Sequence, residues 1–400
     1  MRRICIGLDI SKGDIKAAVK DDRNNQLMPI RTYSPNIPSL TELANDIEEV
    51  RRQYPGRVIY GMEATGIYHI PVYRFLQARK AEVKVFNSLE LRRYKARIRR
   101  TKTDKLDALA IAEALVFSVE PIYAPENDPK RVKLRELCRL RDRIVTKASI
   151  TKSQAKRVMD VLCRGYTSVF DDVFSESSLD VLKASVRITK LFELDVSSLE
   201  TIFVKYHTKP VAEKKARELH RIFRENAVPE LERDVCILEI HMLIQEYQVY
   251  QDQIKRLDNR IVAIVSTIET KLLTVPGIGH LTAGILLGEL GDLKRFRSIG
   301  QLTAFAGLDT VVYDSGKTHR TGHISKRGSP MLRGALYKAA LPAIQFNPVC
   351  KAFYERLKSK GKHSKICLVA VARKLLHIAY SVESRNRDFY VPSYLNIKTA

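Results

Sequence analysis

The stretch RICIGLDI, residues 3–10, predicts a buried β-strand that carries a carboxylate, Asp9, near its end. Residues 14–20 predict a hairpin partner for this strand across a Lys12-Gly13 turn, and residues 26–33 predict a third strand. We therefore expect the chain to begin with three strands in succession.

Helices and strands alternate after the third predicted strand. Residues 40–54 have the apolar spacing of a helix, residues 57–62 and 82–87 predict strands, and residues 68–79 predict the helix between them. Three strands, a helix and two more strands joined by helices is the order of an RNase H-like α/β domain. We expect that domain over residues 1–125.

Four acids fall where this order of elements places an active site. Asp9 lies near the end of the first strand, and Glu63 immediately follows the fourth. Asp104 and Asp107 stand three residues apart at the start of a strongly helical run, so their side chains are neighbours on one helix face. Carboxylate oxygens are hard ligands that bind Mg²⁺, and two ions roughly 4 Å apart can serve phosphodiester chemistry. We predict a site for two Mg²⁺ ions at Asp9, Glu63, Asp104 and Asp107.

Taken singly, the acids also have ordinary structural alternatives, and for Glu63 this is a structural acid flanked by Gly61 and Gly66. Asp9 alone fits a turn acid before Ser11 and Lys12. Thr103 or Asp104 alone fits an N-terminal helix cap. The joint pattern of the four acids favours the metal site.

The segment before the last two acids is strongly basic. Residues 92–105 contain eight Lys or Arg residues and a single acid, Asp104. The whole chain has a formal net charge of +24, which indicates an anionic partner, and nucleic acid suits a folded basic chain better than a membrane surface. Arg99, Arg100 and Lys102 are accordingly predicted to contact nucleic acid.

Composition argues against membrane, disulfide and zinc proteins. The most apolar segments are residues 272–290 and 366–382. Pro276 interrupts the first segment, and the second contains the charged residues Arg373 and Lys374, so neither predicts a membrane-spanning helix. The six cysteines include no CxxC pair, which fits reduced thiols. We expect a cytoplasmic protein without a signal peptide.

The middle of the chain, residues 126–268, predicts a helical region for oligomerisation. Residues 130–162 predict a long basic helix, and residues 167–228 predict helical segments with loops. An unbroken four-three apolar repeat then follows, with the spacing of a coiled-coil seam: Cys236, Ile240, Leu243, Tyr247, Tyr250, Ile254, Leu257, Ile261 and Ile264. The repeat fits either a dimerising coil or an intramolecular hairpin with the 130–162 helix.

Residues 269–400 predict a third, mainly α-helical domain. The stretch LLTVPGIGH, residues 272–280, precedes an apolar helix and predicts a helix-hairpin-helix. Its glycine turn, with Gly277 and Gly279, would present backbone N–H groups to a phosphate. The same Pro-Gly-x-Gly pattern also makes turns that bind nothing.

Two serines in this third domain lie in glycine-flanked, cationic segments that we expect to be loops. The hydroxyl of Ser315 or of Ser325 is placed to approach a phosphate, although a serine in such a loop is usually a turn residue. Ser325 and Ser329 also suit the cap of a helix over residues 331–344. The cations predicted to hold the phosphate charge are Lys317, Arg320, Lys326, Arg327 and Arg333.

The chain resembles the DEDD-type transposases of insertion-sequence family 110 in six motifs that follow in the same order: GLD at 7–9, EATG at 63–66, TDKLDA at 103–108, PGIG at 276–279, SG at 315–316 and ISKRG at 324–328. That family is related to the Piv DNA invertases and includes the bridge-RNA-guided recombinases. The resemblance covers almost the whole chain and is weakest over residues 167–228.

The resemblance implies more than the residues do alone. The first domain would be RuvC-like, with the four acids binding Mg²⁺. A serine of the C-terminal transposase domain would attack DNA and become covalently joined to it. By its place in the motif order that serine is Ser315, with Ser325 the less favoured candidate. Asp309-Thr310 stands where many relatives have a proline, but the spacing to Ser315 is kept.

The resemblance also implies partners. Family members form tetramers, dimers of dimers, in which the acids of one subunit meet the serine of another. Some use a non-coding bridge RNA that pairs with both target and donor DNA.

The leading hypothesis is a Mg²⁺-dependent transposase or site-specific recombinase that acts on element ends and target DNA through a serine-linked intermediate. One alternative is a metal-only, structure-selective nuclease like a junction resolvase, in which Ser315 is structural. The other is a basic scaffold that binds nucleic acid without chemistry.

Overall fold

The computed structural model describes residues 2–63, 67–86, 91, 104–117, 128–187, 191–225, 230–315 and 318–391. The chain divides into two compact units, Met1–Pro125 and Glu126–Ala400. Within the described residues, no helix combines the length and the apolar character that crossing a membrane requires.

The first unit is built on a five-stranded mixed sheet with the spatial order β3-β2-β1-β4-β5. β1 pairs antiparallel with β2, which pairs antiparallel with β3, whereas β4 lies parallel to β1 and to β5. The five predicted strands are confirmed, and each end is within one residue of the prediction. The strands are β1 (Arg3–Ile10), β2 (Ile15–Asp21), β3 (Gln26–Tyr33), β4 (Arg57–Glu63) and β5 (Glu82–Phe86).

Three helices of the first unit are described: α1 (Ile37–Gln53), α2 (His69–Ala78) and α3 (Asp104–Val116). α1 begins three residues before its predicted start at residue 40. The Asn36 side chain accepts a hydrogen bond of 2.9 Å from the backbone N–H of Ser39, and Pro38 suits the first turn because it needs no N–H partner there. The cap and the proline therefore place the start of the helix before the residue at which the apolar repeat begins.

α3 lies directly on the sheet, because two strand residues in contact with it have no side chain. A Cβ atom at Gly7 would overlap the carbonyl oxygen of Ala108 and the nitrogen of Ala112. A Cβ atom at Gly61 would lie 3.0 Å from Cγ2 of Ile111. The backbone of α3 thus touches β1 at a point where any larger residue would push the helix away.

α3 runs antiparallel to β1. Nη2 of Arg3, at the start of β1, donates to the carbonyl oxygen of Val116 at 3.1 Å, at the end of α3. Gly7, further along β1, meets Ala108 nearer the start of α3. The first turn of α3 therefore lies towards Asp9, at the other end of β1.

The second unit is built around a long antiparallel helical hairpin, α4 (Pro129–Leu162) and α9 (Glu230–Ser266). Nη2 of Arg141 on α4 bonds Oδ2 of Asp258 on α9 at 3.1 Å, and Thr151 on α4 bonds Glu246 on α9 at 3.2 Å. The four-three repeat of α9 is buried or half-buried, and α4 packs against it. The structure thus has the intramolecular hairpin, one of the two alternatives left open by the repeat.

Short helices at one end of this hairpin enclose an aromatic core: α5 (Tyr166–Val169), α6 (Glu176–Arg187), α7 (Val196–Phe203) and α8 (Lys209–Glu225). The ring centroids of Tyr166 and Phe170 lie 4.6 Å apart, and those of Phe170 and Phe203 lie 5.5 Å apart. The buried hydroxyl of Tyr166 is 2.8 Å from that of Ser178. The region where the family resemblance is weakest is helical, as predicted, and it shares a core with the adjoining ends of α4 and α9.

The other end of the hairpin packs with the C-terminal helices: α10 (His280–Leu290), α11 (Ile299–Ala306), α12 (Pro330–Phe346), α13 (Pro348–Ser359) and α14 (Ser364–Ser384). Leu134 and Cys138 of α4 and Ile261 and Val265 of α9 share one core with these helices. A division into domains at residue 268 stays a prediction, and this core draws on both sides of it.

A β-hairpin interrupts the C-terminal helices where the sequence interpretation places loops. β6 (Thr310–Ser315) pairs antiparallel with β7 (Thr318–Ile324). The prediction of loops was wrong here, because Thr310, Val311, Val312 and Tyr313 are strand-favouring residues. The two residues between paired Ser315 and Thr318 are also the commonest length of a hairpin connection.

The six cysteines are free thiols, and all but Cys236 are buried. Burial raises the pKa of Cys138, Cys163 and Cys350 to about 12, so these thiols stay protonated near neutral pH. The prediction of reduced, mostly buried cysteines is confirmed.

Replacing Gly7 with alanine should destabilise the first unit, because the new Cβ would overlap the backbone of α3. Overpacking of this kind costs about 1–3 kcal/mol, and we expect the upper end since backbone atoms cannot rotate away. Urea unfolding followed by circular dichroism measures the loss. Gly13→Ala is the matched control, because no atom lies within 4 Å of its Cβ position; equal midpoints for the two variants would contradict the close contact.

Candidate functional site

Asp9 and Glu63 lie side by side at the carboxyl ends of two parallel strands. The register of β1 and β4 pairs Gly7 with Gly61, so the positions two residues further along are Asp9 and Glu63. Side chains two residues apart on a strand share a face, and both glycines face α3. Asp9 and Glu63 therefore lie on the face of the sheet that α3 covers.

The first turn of α3 completes this arrangement. Gly7 contacts α3 between Ala108 and Ala112, centred on residue 110. Two strand residues span about 6.6 Å, which is roughly the rise of four helical residues, so Asp9 lies opposite about residue 106. That position falls between Asp104 and Asp107.

The structure thus places Asp9 and Glu63 on neighbouring strands and Asp107 on the first turn of α3 near them, but it does not bring these three carboxylates within metal-binding distance of one another. Asp9, Glu63 and Asp107 are each half-buried. Asp104 is the first residue of α3, and its side chain is outside the described part of the chain. Of the four predicted acids, Asp9 and Glu63 lie at one end of the sheet, and Asp107 lies on the first turn of the helix that covers it.

The donor set fits a divalent metal ion by its chemistry. Carboxylate oxygens are the ligands that Mg²⁺ takes in proteins. Within the described side chains no group of three or more His, Cys, Asp or Glu residues is close enough to hold an ion together, and this set does not include the side chain of Asp104. The acids are aligned by register and by the helix contact.

A buried ion pair also joins α3 to β2, the antiparallel neighbour of β1 in the sheet. Nζ of Lys20 on β2 lies 2.7 Å from Oε1 of Glu113 on α3, and both side chains are 9% exposed. The same ammonium group donates to Oδ1 of Asn24 at 2.8 Å. Sequence reasoning missed this pair, although a lysine in an apolar strand and a glutamate in an alanine-rich helix are unusual enough to signal a buried partner.

Ser315 occupies the last position of β6, at the closed end of the hairpin, where it pairs with Thr318. Its side chain is outside the described residues, as are Gly316 and Lys317. Arg320 lies on β7, with only its backbone described.

Ser325 follows β7 and is tied to the segment before β6. Its hydroxyl donates to the carboxylate of Asp309, and its backbone N–H donates to the Asp309 carbonyl oxygen at 2.8 Å. Ser325 therefore joins the two ends of the hairpin. Ser329 caps α12 by accepting from the N–H of Leu332 at 3.3 Å, which confirms one of the two caps proposed for this helix.

The cations after β7 divide into one that is committed to the fold and two that face solvent. Nη1 of Arg333 donates to the carbonyl oxygens of Gly328 at 2.7 Å and Ala306 at 3.3 Å, so it stabilises the loop. Lys326 and Arg327 are exposed. The nucleic-acid contacts of all three stay predictions, as do those of the basic residues that lie outside the described part of the chain: Arg99, Arg100 and Lys102.

The glycine turn follows a single 3₁₀ turn, Leu272–Thr274, and leads into α10. Gly277 has φ +101°, and a Cβ there would lie 2.7 Å from Cβ of Ala343 on α12, so this glycine is required by packing. Gly279 precedes α10 without a side-chain cap, and nothing lies within 4 Å of its Cβ position. The two glycines thus differ: the first packs on α12, and the second is exposed at a helix start.

His377, on α14, lies among cations in the C-terminal core. Its Nε2 is 3.0 Å from Oγ1 of Thr303 on α11. Burial, with Arg373 and Lys374 nearby, lowers the pKa of His377 below its ordinary value of 6.5. The imidazole is therefore neutral in the folded chain at neutral pH.

Comparison with known proteins finds two families and several relatives. Residues 269–355 match the transposase IS116/IS110/IS902 family, and residues 6–163 match the DEDD transposase model named for IS110. The pilin gene-inverting proteins of Moraxella bovis and Moraxella lacunata are each 25% identical over 395 residues, which cover 97% of this chain and 98% of theirs. The transposase for insertion sequence element IS1328 of Yersinia enterocolitica is 31% identical over 152 residues, covering 37% of this chain and 46% of its own.

Replacing Glu113 with alanine should destabilise the first unit by about 3–5 kcal/mol, because it leaves the Lys20 ammonium buried without its counter-charge. The double variant Lys20→Met, Glu113→Leu should lose less than the single one. Urea unfolding of the full chain gives both values. Glu48→Ala, which breaks the exposed Arg51–Glu48 pair, is the control and should cost no more than about 1 kcal/mol; a similar loss for both single variants would argue against a buried pair.

The stability of the second unit should fall as the pH drops from 6.5 towards the lowered pKa of His377. Above 6.5 the imidazole is neutral in both states; below 6.5 the unfolded chain takes up the proton first, which lowers the free energy of unfolding. His377→Gln should flatten this part of the pH profile in urea unfolding, whereas His280→Gln, at an exposed position, should leave it unchanged. An unflattened profile would show that another group causes the acid loss.

Proposed function

The chain belongs to the IS116/IS110/IS902 family of transposases, and from this premise we propose that it cuts and rejoins DNA through a covalent bond between Ser315 and a DNA phosphate. It is a DNA transposase or recombinase by family. The observation that carries the finer proposal is the β1–β4 register under α3, which aligns Asp9 and Glu63 beside the first turn that holds Asp104 and Asp107.

The first unit is, in this proposal, an RNase H-like, RuvC-like domain. Its mixed sheet, with three antiparallel strands followed by two parallel ones, supports this assignment. The four acids would hold divalent metal, two Mg²⁺ ions in each site. Bound metal would lower the pKa of a coordinated hydroxyl and stabilise negative charge on a phosphate.

In the proposed reaction, Ser315 forms the bond to DNA and nearby cations balance the phosphate charge. The Ser315 hydroxyl loses its proton to water and bonds to phosphorus, while the bond from phosphorus to one DNA oxygen breaks and that oxygen takes up a proton. Because the number of phosphodiester bonds is unchanged, a DNA hydroxyl can reverse the step on another strand without ATP. Cations near the hairpin, with Lys317, Arg320, Lys326 and Arg327 as candidates, would balance the phosphate charge.

The nucleic-acid partners follow from charge and family. The net charge of +24 favours binding to the DNA of element ends and target. The exposed start of α10 at Gly279 and the basic residues Arg99, Arg100 and Lys102 are further candidates for phosphate contacts. A non-coding bridge RNA as the guide is part of this proposal, as is action in the cytoplasm on the nucleoid.

We also propose that the chain works as a homo-oligomer, a dimer of dimers, with the acids of one subunit serving the serine of another. The repeat of α9 is used within the chain, so a different face is needed for a partner. Val235, Leu238, Met242 and Val249 on α9 are 52–65% exposed and follow the spacing three, four, seven, which is that of a helix-pairing surface. These residues support a second copy pairing at α9.

Replacing Ser315 with alanine should abolish a covalent protein–DNA adduct, because the attacking oxygen is removed. The full chain is incubated with element-end DNA, guide RNA and Mg²⁺, and the adduct is detected by its shift in denaturing gels. Ser325→Ala is the matched control and should keep the adduct, since that hydroxyl is engaged by Asp309. Asp107→Asn or removal of metal with EDTA should reduce cleavage by at least about 100-fold.

Three outcomes would overturn parts of the proposal. An adduct that persists in Ser315→Ala and is lost in Ser325→Ala would move the nucleophile to Ser325. Cleavage with free ends and no adduct would indicate a metal-only nuclease. Full function after Asp104→Ala with Asp107→Ala would indicate a scaffold that binds nucleic acid without chemistry.

A further inference from the structure

A groove lies between the base of the β6–β7 hairpin and the helix α14, with a volume of about 440 Å³. Its floor is aliphatic, formed by Leu308 before β6, Ile324 at the end of β7 and Val369 on α14. Ile366 also lines it and is 59% exposed, although it is a large aliphatic residue. The groove therefore offers an apolar surface with nothing covering it in the described part of the chain.

The rim of this groove is cationic. Lys326, Lys365 and Arg373 line it, and none of the described residues that line it is Asp or Glu. Among the described residues none of these three cations forms an ion pair with a carboxylate. Lys365 and Lys326 are exposed, whereas Arg373 is half-buried.

A second cation stands beside Arg373. This arginine lies next to Lys374 on α14, and the field of the two cations adds to burial in lowering the pKa of His377. A half-buried guanidinium without a carboxylate partner is stabilised by an anion that approaches from outside. An anion bound at the rim would supply the missing counter-charge.

We propose that this groove binds one unpaired nucleotide of a nucleic acid strand, with the base on the aliphatic floor and the neighbouring phosphates on the cationic rim. A base in a duplex has both faces covered by its stacked neighbours, so only an unstacked base can use the floor. The volume falls within the range of small-ligand sites, about 300–1,000 Å³. The inference rests on the proposed function in one respect, because it requires that the chain binds nucleic acid.

The groove is distinct from the place of bond breaking. β6 runs from Thr310, at the groove, to Ser315 at the far end of the hairpin, and the five steps between these residues span about 17 Å. At about 3.4 Å per nucleotide along one strand of B-form DNA, this distance corresponds to about five nucleotides. The nucleotide in the groove would therefore not be the reacting one.

Binding measurements on the full chain test this. The probes are a fluorescein-labelled oligothymidylate and a duplex of equal length, followed by fluorescence anisotropy over a range of salt concentrations. Arg373→Ala should weaken binding of the single strand about fivefold at 0.1 M salt and reduce the slope of log K against log salt by about 0.7, as expected for one lost phosphate contact. Lys374→Ala, which removes the same charge at the next position and does not line the groove, should have a smaller effect on both.

The floor is tested with Ile366→Ser. It should weaken binding of the single strand by about three- to tenfold through lost apolar contact, leave the salt slope unchanged and leave duplex binding unchanged. The control is Leu341→Ser, which alters an exposed aliphatic residue of α12 outside the groove and should change neither probe.

Each contrary result has a definite meaning. Equal losses for single strand and duplex would show a phosphate-binding surface and no base site. Losses no larger than those of the two controls would show that the groove does not hold nucleic acid. Binding of an acidic peptide, polyglutamate, that is lost in Ile366→Ser while oligothymidylate binding is kept would assign the groove to a protein partner. None of these measurements needs cleavage, so a missing Ser315 adduct and an unused groove are separate failures.

Discussion

The contact of the α3 backbone with β1 at Gly7 is the constraint on which the proposed metal site depends. No side chain separates helix and strand there, so the distance between them is set by main-chain atoms. Asp9 and Asp107 each lie within two residues of this contact. The spacing of the acids is therefore fixed by the backbone packing, and the Lys20–Glu113 pair ties the same helix to the neighbouring strand β2.

The first unit was largely predictable because its signals are local. Short apolar runs bounded by turns gave all five strands, and the parallel register then brings Asp9 and Glu63 together without further information. The start of α1 differed because Asn36 and Pro38 act at the helix end, where apolar periodicity carries no signal. The Lys20–Glu113 pair was missed because its residues are 93 positions apart, so that the sequence marks each as unusual without showing that they pair.

The second unit was harder because its signals are ambiguous. An apolar four-three repeat has the same spacing whether its partner is another copy or a helix of the same chain, and only tertiary packing against α4 distinguished them. The β6–β7 hairpin was missed for a different reason. Glycines and cations around Ser315 and Ser325 indicated loops, whereas the strand-favouring residues between them decide the structure. The hydrogen bond from Ser325 to Asp309 then separates the two serines, which the sequence alone treated alike.

The α4–α9 hairpin has a mechanical consequence. One core packs around Cys138 near the start of α4, and another packs around Ala155 towards its end. These residues are 17 positions apart, which is about 25 Å of helix. A pair of continuous, packed helices resists bending over that length. The hairpin therefore acts as a spacer of fixed length between the two cores. A molecule that binds at the aromatic core is thereby kept at a fixed distance from the β6–β7 hairpin. The length of α4 and α9 sets that distance.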